Sequence, residues 1–99
     1  TESRCKEVVE EIQKEGGKAR YVAADISNVE DVKRLFDSVI SENKQLDIFV
    51  NCAGVALFNP IVNTTEKEFD TVFNINTKGA FFALQAAAQR ISPNGRIIA

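Results

Sequence analysis

The stretch Leu46-Asp47-Ile48-Phe49-Val50-Asn51-Cys52-Ala53-Gly54 decides the fold class. A short apolar run rich in β-branched and aromatic residues stops abruptly in a turn of small and polar ones. Bounded this way, Leu46–Asn51 reads as a strand, buried on both faces as in a parallel sheet. The polar exit has its own chemistry. The amide of Asn51 can bridge two neighbouring backbones, while Ala53 and Gly54 leave room for close approach of a ligand. Taken alone, those four residues also fit a tight strand-to-loop turn that needs a glycine.

Outward from this strand the periods alternate. Upstream, Val29, Val32, Leu35, Phe36, Val39 and Ile40 form an amphipathic helical stripe ending near Asn43. Ser27 or Asn28 caps it, with Glu30 and Asp31 favourable in its first turn. Before it, residues 18–24 read as a strand that exits into the turn Asp25-Ile26-Ser27-Asn28. The helix of residues 3–15 comes first, stopped by Gly16-Gly17. Downstream, residues 52–63 form a loop containing Pro60. Thr64 or Thr65 caps a third helix, with Glu68 completing a capping box on Thr65. That helix runs to about Ile91 and is apolar almost all round from Phe69 to Ala88, so it is expected to be buried, in the fold or at a subunit interface. Ser92-Pro93-Asn94-Gly95 reads as a turn and Arg96–Ala99 as a strand. The order αβαβαβ predicts an α/β fold, part of a doubly wound parallel sheet, with residues 1–99 forming one domain or part of one.

Composition narrows the chemistry. The 99 residues are 44% hydrophobic and 26% charged, with a net charge of −2 at pH 7. That balance is globular and carries no basic footprint for nucleic acid or an anionic membrane. No apolar run approaches the roughly 20 residues that span a bilayer. No signal-type segment opens the chain, which points to the cytoplasm and to free thiols at Cys5 and Cys52. The chain has no histidine, which excludes a Ser-His-Asp or Cys-His mechanism within it and any histidine metal site.

Two further positions carry chemistry. Asp25, with Ile26 beside it, follows a strand, and ligands of open α/β sheets bind at the carboxyl ends of strands. A carboxylate there can accept from an amino group and the isoleucine can pack on a flat ring; an Asx-turn at a helix entry is the plainer alternative. Asn76 sits within the apolar helical pattern, where an asparagine is unfavourable and must find partners, in a ligand site or in neighbouring backbone. Lys78 reads as a solvated helix lysine, and Asn74 as a neighbour without a role in chemistry. Phe81, Phe82 and Leu84 read as packing residues.

Asn51-Cys52-Ala53-Gly54, Asn76-Thr77-Lys78-Gly79 and Gly95-Arg96-Ile97-Ile98, in this order and spacing, resemble the central part of a short-chain dehydrogenase/reductase. Cys52 stands where the family has a second asparagine. The resemblance implies a Rossmann-like domain, NAD or NADP as cofactor, and hydride transfer between nicotinamide and a carbonyl or alcohol substrate. It implies that Asp25 and Ile26 contact the adenine, that Asn51 stabilises the central sheet, and that Ala53 and Gly54 line the cofactor. Asn76 would be the active-site asparagine, which kinks its helix and holds a water of the proton relay through its backbone. The helix over about 65–91 would form a homo-oligomer interface. The family's glycine-rich loop and its serine, tyrosine and lysine have no counterpart in these 99 residues. Tyr21 is not that tyrosine, because the family pair is Tyr-x-x-x-Lys and Asp25 stands four residues on. In the family sheet order 3-2-1-4-5, two strands separate residues 18–24 from Leu46–Asn51. The isolated 99 residues are therefore expected to be inactive and poorly folded, or to pair strands in another order. A 3-oxoacyl thioester, a sugar, a steroid and a quinone all remain open as substrates. Two other readings stand beside this one: a non-catalytic association module, and a flavodoxin-like binding domain, for which the clustered acids are not evident.

Overall fold

The structure is a computed structural model that describes residues 1–99. Helix α1 spans Glu2–Lys14. Its C-terminus is closed by Gly16 at φ +88°, with Gly17 N–H donating to the Ile12 carbonyl at 2.9 Å and Gly16 N–H to that of Gln13 at 3.1 Å. This is a Schellman closure, and it needs the left-handed residue that glycine supplies. Helix α2 spans Val29–Asn43. Asn28, rather than Ser27, caps it, accepting from Glu30 N–H at 3.0 Å and Asp31 N–H at 3.3 Å.

Strand β1 is Leu46–Val50 and strand β2 is Ile91–Ile98, and the two pair in parallel. Between the Leu46–Ile91 and Ile48–Arg96 pairs, β1 contributes Asp47 alone while β2 contributes Ser92-Pro93-Asn94-Gly95. The expected turn is thus a bulge inside a longer strand, and β2 begins five residues earlier than Arg96. The bulge admits Pro93, which cannot donate to a ladder, and Asn94 at φ 65°. Glycine is required at 95: a Cβ there would lie 2.8 Å from the Asp47 carbonyl oxygen.

Between the strands, a short 3₁₀ turn at Ile61–Asn63 precedes helix α3, Glu66–Phe73. Thr65 and Glu68 form the expected capping box. The helix does not then run unbroken. A π-helical segment, Asn74–Gly79, separates α3 from α4, Ala80–Arg90. The core lies where α2, α4 and β1 meet: Val32, Phe36, Ala83, Ala86 and Ala87 are buried, with Ile26, Leu46 and Phe49 packed against them. The Phe36 and Phe49 rings tilt at 52° with centroids 5.3 Å apart. Arg90 lies over Phe36 and pairs with Asp37 at 2.8 Å.

Three further expectations are corrected. Residues 18–24 are not a strand; no other segment pairs with them. Side chains hold their backbone instead: Gln13 donates to the Ala19 carbonyl at 3.1 Å and Arg34 to that of Ala23 at 2.6 Å. Strand β1 is not buried on both faces: only Leu46 and Phe49 are half-buried, and Ile48 is 62% exposed. Helix α3 buries no residue, and the Phe69 and Phe73 rings stack outside the core with centroids 4.3 Å apart. An apolar cavity of about 290 Å³ separates Val22, Ala24 and Ile26 from Phe49, Val50 and Asn51. The Cα radius of gyration is 15.6 Å, against about 13 Å for a compact domain of roughly 100 residues. No helix is long and apolar enough to cross a membrane.

Candidate active-site segment

The π segment is the hub of the candidate site. Segments of this type are single-turn departures from the α-helical ladder and concentrate at functional sites. Asn76 lies within it, and its side-chain amide reaches the loop after β1. Val55 N–H donates to Asn76 Oδ1 at 2.8 Å, and Asn76 Nδ2 donates to the Val55 carbonyl at 2.7 Å. Both polar atoms of the amide are used, and they pair with one residue's backbone as a strand neighbour would. The amide finds its partners in backbone 21 residues away, not in the neighbouring backbone of its own helix.

That clamp fixes the turn Asn51–Gly54 from its far end. From its near end, Asn51 N–H extends the sheet, donating to the Ile98 carbonyl at 2.8 Å. A Cβ on Gly54 would meet only Asn76 Oδ1, at 3.4 Å, which is ordinary contact. Gly54 and Ala53 are exposed, so this turn presents an open backbone surface. Cys52 is a free, exposed thiol on the same turn, and Cys5 is free as well.

Asp25 and Ile26 reach the same hub by a different route. Asp25 Oδ1 accepts from Ser27 N–H at 2.9 Å and from the Ser27 hydroxyl at 2.6 Å. Those bonds hold its carboxyl below the usual carboxylate range. Asp25 is thus both an Asx-turn and an ionised acceptor, with Oδ2 left unpartnered. The Asp25 N–H donates to Asp31 Oδ2 at 2.9 Å, tying the turn to the first turn of α2. Ile26 is half-buried, and its carbonyl sits against Gly79: a Cβ built there would lie 2.8 Å from that oxygen. In an ordinary helix, alanine for glycine gains about 1 kcal/mol; at this distance something must shift instead.

The structure therefore brings Ile26, Asn51 and Ala53 around one apolar cavity and joins Asn76 to the residue after Gly54. Asp25 does not line that cavity; it faces the α1 side, near Thr1 and Glu2. Gly79 and Val55 were not singled out from sequence. A glycine inside a strongly apolar helical pattern was the available signal for Gly79, since such a residue needs a packing reason. Val55 carried none, because only its backbone takes part. Lys78 is exposed. The Tyr21 hydroxyl donates to Glu2 Oε1 at 3.3 Å; desolvation, then the Glu2 charge, raises its pKa above the ordinary value of 10.0, so it stays protonated at neutral pH.

All of residues 1–99 match the family profile described as enoyl-(acyl carrier protein) reductase. The chain is 45% identical over 91 residues to elsinochrome reductase 1 of Elsinoe fawcettii, covering 92% of this chain and 34% of that protein. It is 40% identical over 97 residues to a hydroxynaphthalene reductase-like protein of Metarhizium brunneum, covering 98% of this chain and 36% of that one. It superposes on a dehydrogenase/reductase from Sinorhizobium meliloti with a TM-score of 0.91 at 32% identity, covering 98% of this chain and 38% of that one. A short-chain dehydrogenase from Burkholderia cenocepacia in complex with NADP superposes with a TM-score of 0.87 at 32% identity, over 96% of this chain and 39% of that one. The chain spans about a third of the length of the curated relatives it matches. With a whole-length profile match and two relatives at 40% identity or more, on the Asn76 clamp and parallel β1–β2 pair just described, the chain belongs to the short-chain dehydrogenase/reductase family.

Proposed function

We propose that these residues are the central cofactor-binding segment of an NAD(P)-dependent oxidoreductase that moves a hydride between nicotinamide and a carbonyl or alcohol carbon. The observation that carries this is the two-way clamp of Asn76 on Val55, because it rigidly sets the open turn Ala53–Gly54 beside the π segment. The residues suit a dinucleotide. Asp25 is ionised and keeps Oδ2 free to accept from an exocyclic amine, Ile26 offers an apolar face for a flat ring, and Gly54 leaves space beside the backbone. When bound, NAD or NADP supplies the hydride donor or acceptor. Asn51 holds the end of β1 in the sheet. Asn76 positions the turn through its side chain and, as the family resemblance implies, holds a relay water through its carbonyl. Proton donation to the substrate oxygen belongs to tyrosine chemistry outside these residues.

The substrate reading follows the relatives and one exposed loop. Leu57, Phe58, Ile61 and Val62 follow the clamped residue, and Phe58 is 96% exposed and Ile61 90%. Apolar residues in that place suit a fused aromatic substrate, and one similar protein is named a hydroxynaphthalene reductase-like protein. A hydroxynaphthalene-type ketone is therefore favoured over a 3-oxoacyl thioester. The apolar, outward-facing Phe69 and Phe73 support self-association of the longer protein through α3. The test uses that longer protein, with NADPH or NADH oxidation followed against both substrate classes. Asn76→Ala should lower kcat by roughly 10²-fold, as for loss of a relay or positioning group, with a smaller change in cofactor affinity. Unchanged kcat in a folded variant would sink the assignment. The 99 residues alone are expected to give no turnover in a preparation free of host reductases.

A further inference from the structure

We infer that Gly79 is a positioning residue that sets the Asp25–Ile26 turn relative to the Asn76-clamped turn, so that the two halves of the cofactor site share one ruler. This rests on the function proposed above and adds a residue to it. The π segment makes two contacts three residues apart. At Asn76 it holds Val55 by a pair of hydrogen bonds of 2.8 and 2.7 Å. At Gly79 it meets the Ile26 backbone, with a Cβ position 2.8 Å from the Ile26 oxygen and 3.2 Å from its carbonyl carbon. Gly79 is the one buried residue of the segment.

These contacts differ in kind. The Asn76 contact is directional and survives small sliding of the loop, because hydrogen bonds tolerate a few tenths of an ångström. The Gly79 contact is backbone against backbone, and no flexible side-chain end is present to give way. A side chain at 79 meets the Ile26 carbonyl oxygen first, at 2.8 Å, ahead of the Asn74 carbonyl oxygen of its own segment at 3.2 Å. On this inference it is the Ile26 carbonyl that shifts outward, and with it Asp25, whose N–H donates to Asp31 and whose Oδ1 accepts from Ser27. The turn therefore moves as a unit. Its displacement acts on the adenine side alone, since Asn76 and Val55 stay joined.

The experiment compares the longer protein with its Gly79→Ala variant. The probes are 5′-AMP, which carries only the adenine side, and NADPH. Binding of 5′-AMP is expected to weaken about tenfold, within the roughly hundredfold that a 1 Å misplacement can cause. The KM for the dinucleotide rises with it, while kcat at saturating cofactor changes by less than about twofold. A general loss of structure would lower kcat as well, so the split separates positioning from damage. Unchanged 5′-AMP affinity, or kcat falling as far as kcat/KM, overturns the inference. Should the variant not fold, hydrogen exchange on the unaltered protein decides: 5′-AMP is expected to slow exchange at residues 74–79 as well as at 25–28, and slowing at 25–28 alone refutes the coupling. If the unaltered protein binds NADPH but Gly79→Ala changes nothing, only this inference falls. If it binds neither probe, the cofactor reading falls and takes the inference with it.

Discussion

Residues 46–50 and residues 18–24 are both short, partly apolar and bounded by turns, yet only the first is a strand. Leu46–Val50 pairs with β2, packs Leu46 and Phe49 on the core, and is extended by Asn51. The 18–24 segment has no pairing partner, and single side chains from α1 and α2 meet its carbonyls. The difference teaches that a strand is a property of a pair. Propensity brings a segment to extended geometry, but a ladder must satisfy its backbone groups. The apolar cavity of about 290 Å³ lies between the two segments, where the family sheet order places two more strands.

The largest effect is expected from filling that gap. In the longer protein, amides of residues 19–24 should pass from near-unprotected exchange to protection approaching the global unfolding free energy, of order 5–15 kcal/mol. In the isolated 99 residues the amides of β1 should exchange more slowly than those of 19–24. Equal protection of the two segments in the isolated chain would remove the contrast. A smaller but still large effect is expected from Phe36→Ala. Phe36 is 4% exposed and packs against Phe49 with the rings tilted, so in the longer protein its loss should cost about 3–5 kcal/mol by chemical denaturation. Arg34→Ala acts on the other segment. It removes the bond to the Ala23 carbonyl and an exposed pair with Asp31, so the cost should be about 1 kcal/mol or less. A Phe36→Ala cost no greater than that of Arg34→Ala would mean that the core does not lie where α2 and β1 meet.

What was legible in the sequence follows the same division. The caps at Asn28 and Thr65, each one of two candidates in the sequence, the glycine stop at residues 16 and 17, the stripe of α2 and the strand at Leu46 are local signals that the structure bears out. The π segment was legible only in part. An asparagine in an apolar helix signalled a departure, but the register change depends on Val55 and Ile26 reaching it from distant parts of the chain. The bulge in β2 reads as a turn in the sequence because proline, asparagine and glycine signal both, and only pairing with Asp47's strand distinguishes them. Of the candidate site residues, Asn51, Ala53 and Ile26 gather around one cavity and Asn76 clamps the turn beside them. Asp25 stands apart on the α1 side, with Oδ1 bonded to Ser27 and Oδ2 free.

The smallest expected effect is electrostatic and again separates the two segments. Asp31 is held below the usual carboxylate range by the Asp25 N–H and then by Arg34, and Asp25 is held there by Ser27. Both groups belong to the ties of the unpaired segment and its exit turn; none is in the β1–β2 ladder. A carboxyl whose folded pKa is depressed stabilises the fold in its ionised form. That contribution is complete above the unfolded value near 3.8 and is lost as pH falls through the lower folded value. Acidification below about pH 4 should therefore loosen residues 18–28 before it affects β1. Asp25 is exposed and Asp31 only half-buried, so the shift should be small and should shrink in 1 M salt, where screening acts over about 3 Å. The measurement is residue-resolved amide chemical shift and exchange between pH 6 and pH 3. Asp31→Asn should flatten the response at 23–28 and leave β1 unchanged. Simultaneous loosening of both segments would show that the two are one cooperative unit, and the tethered segment would then be as integral to the fold as the paired one.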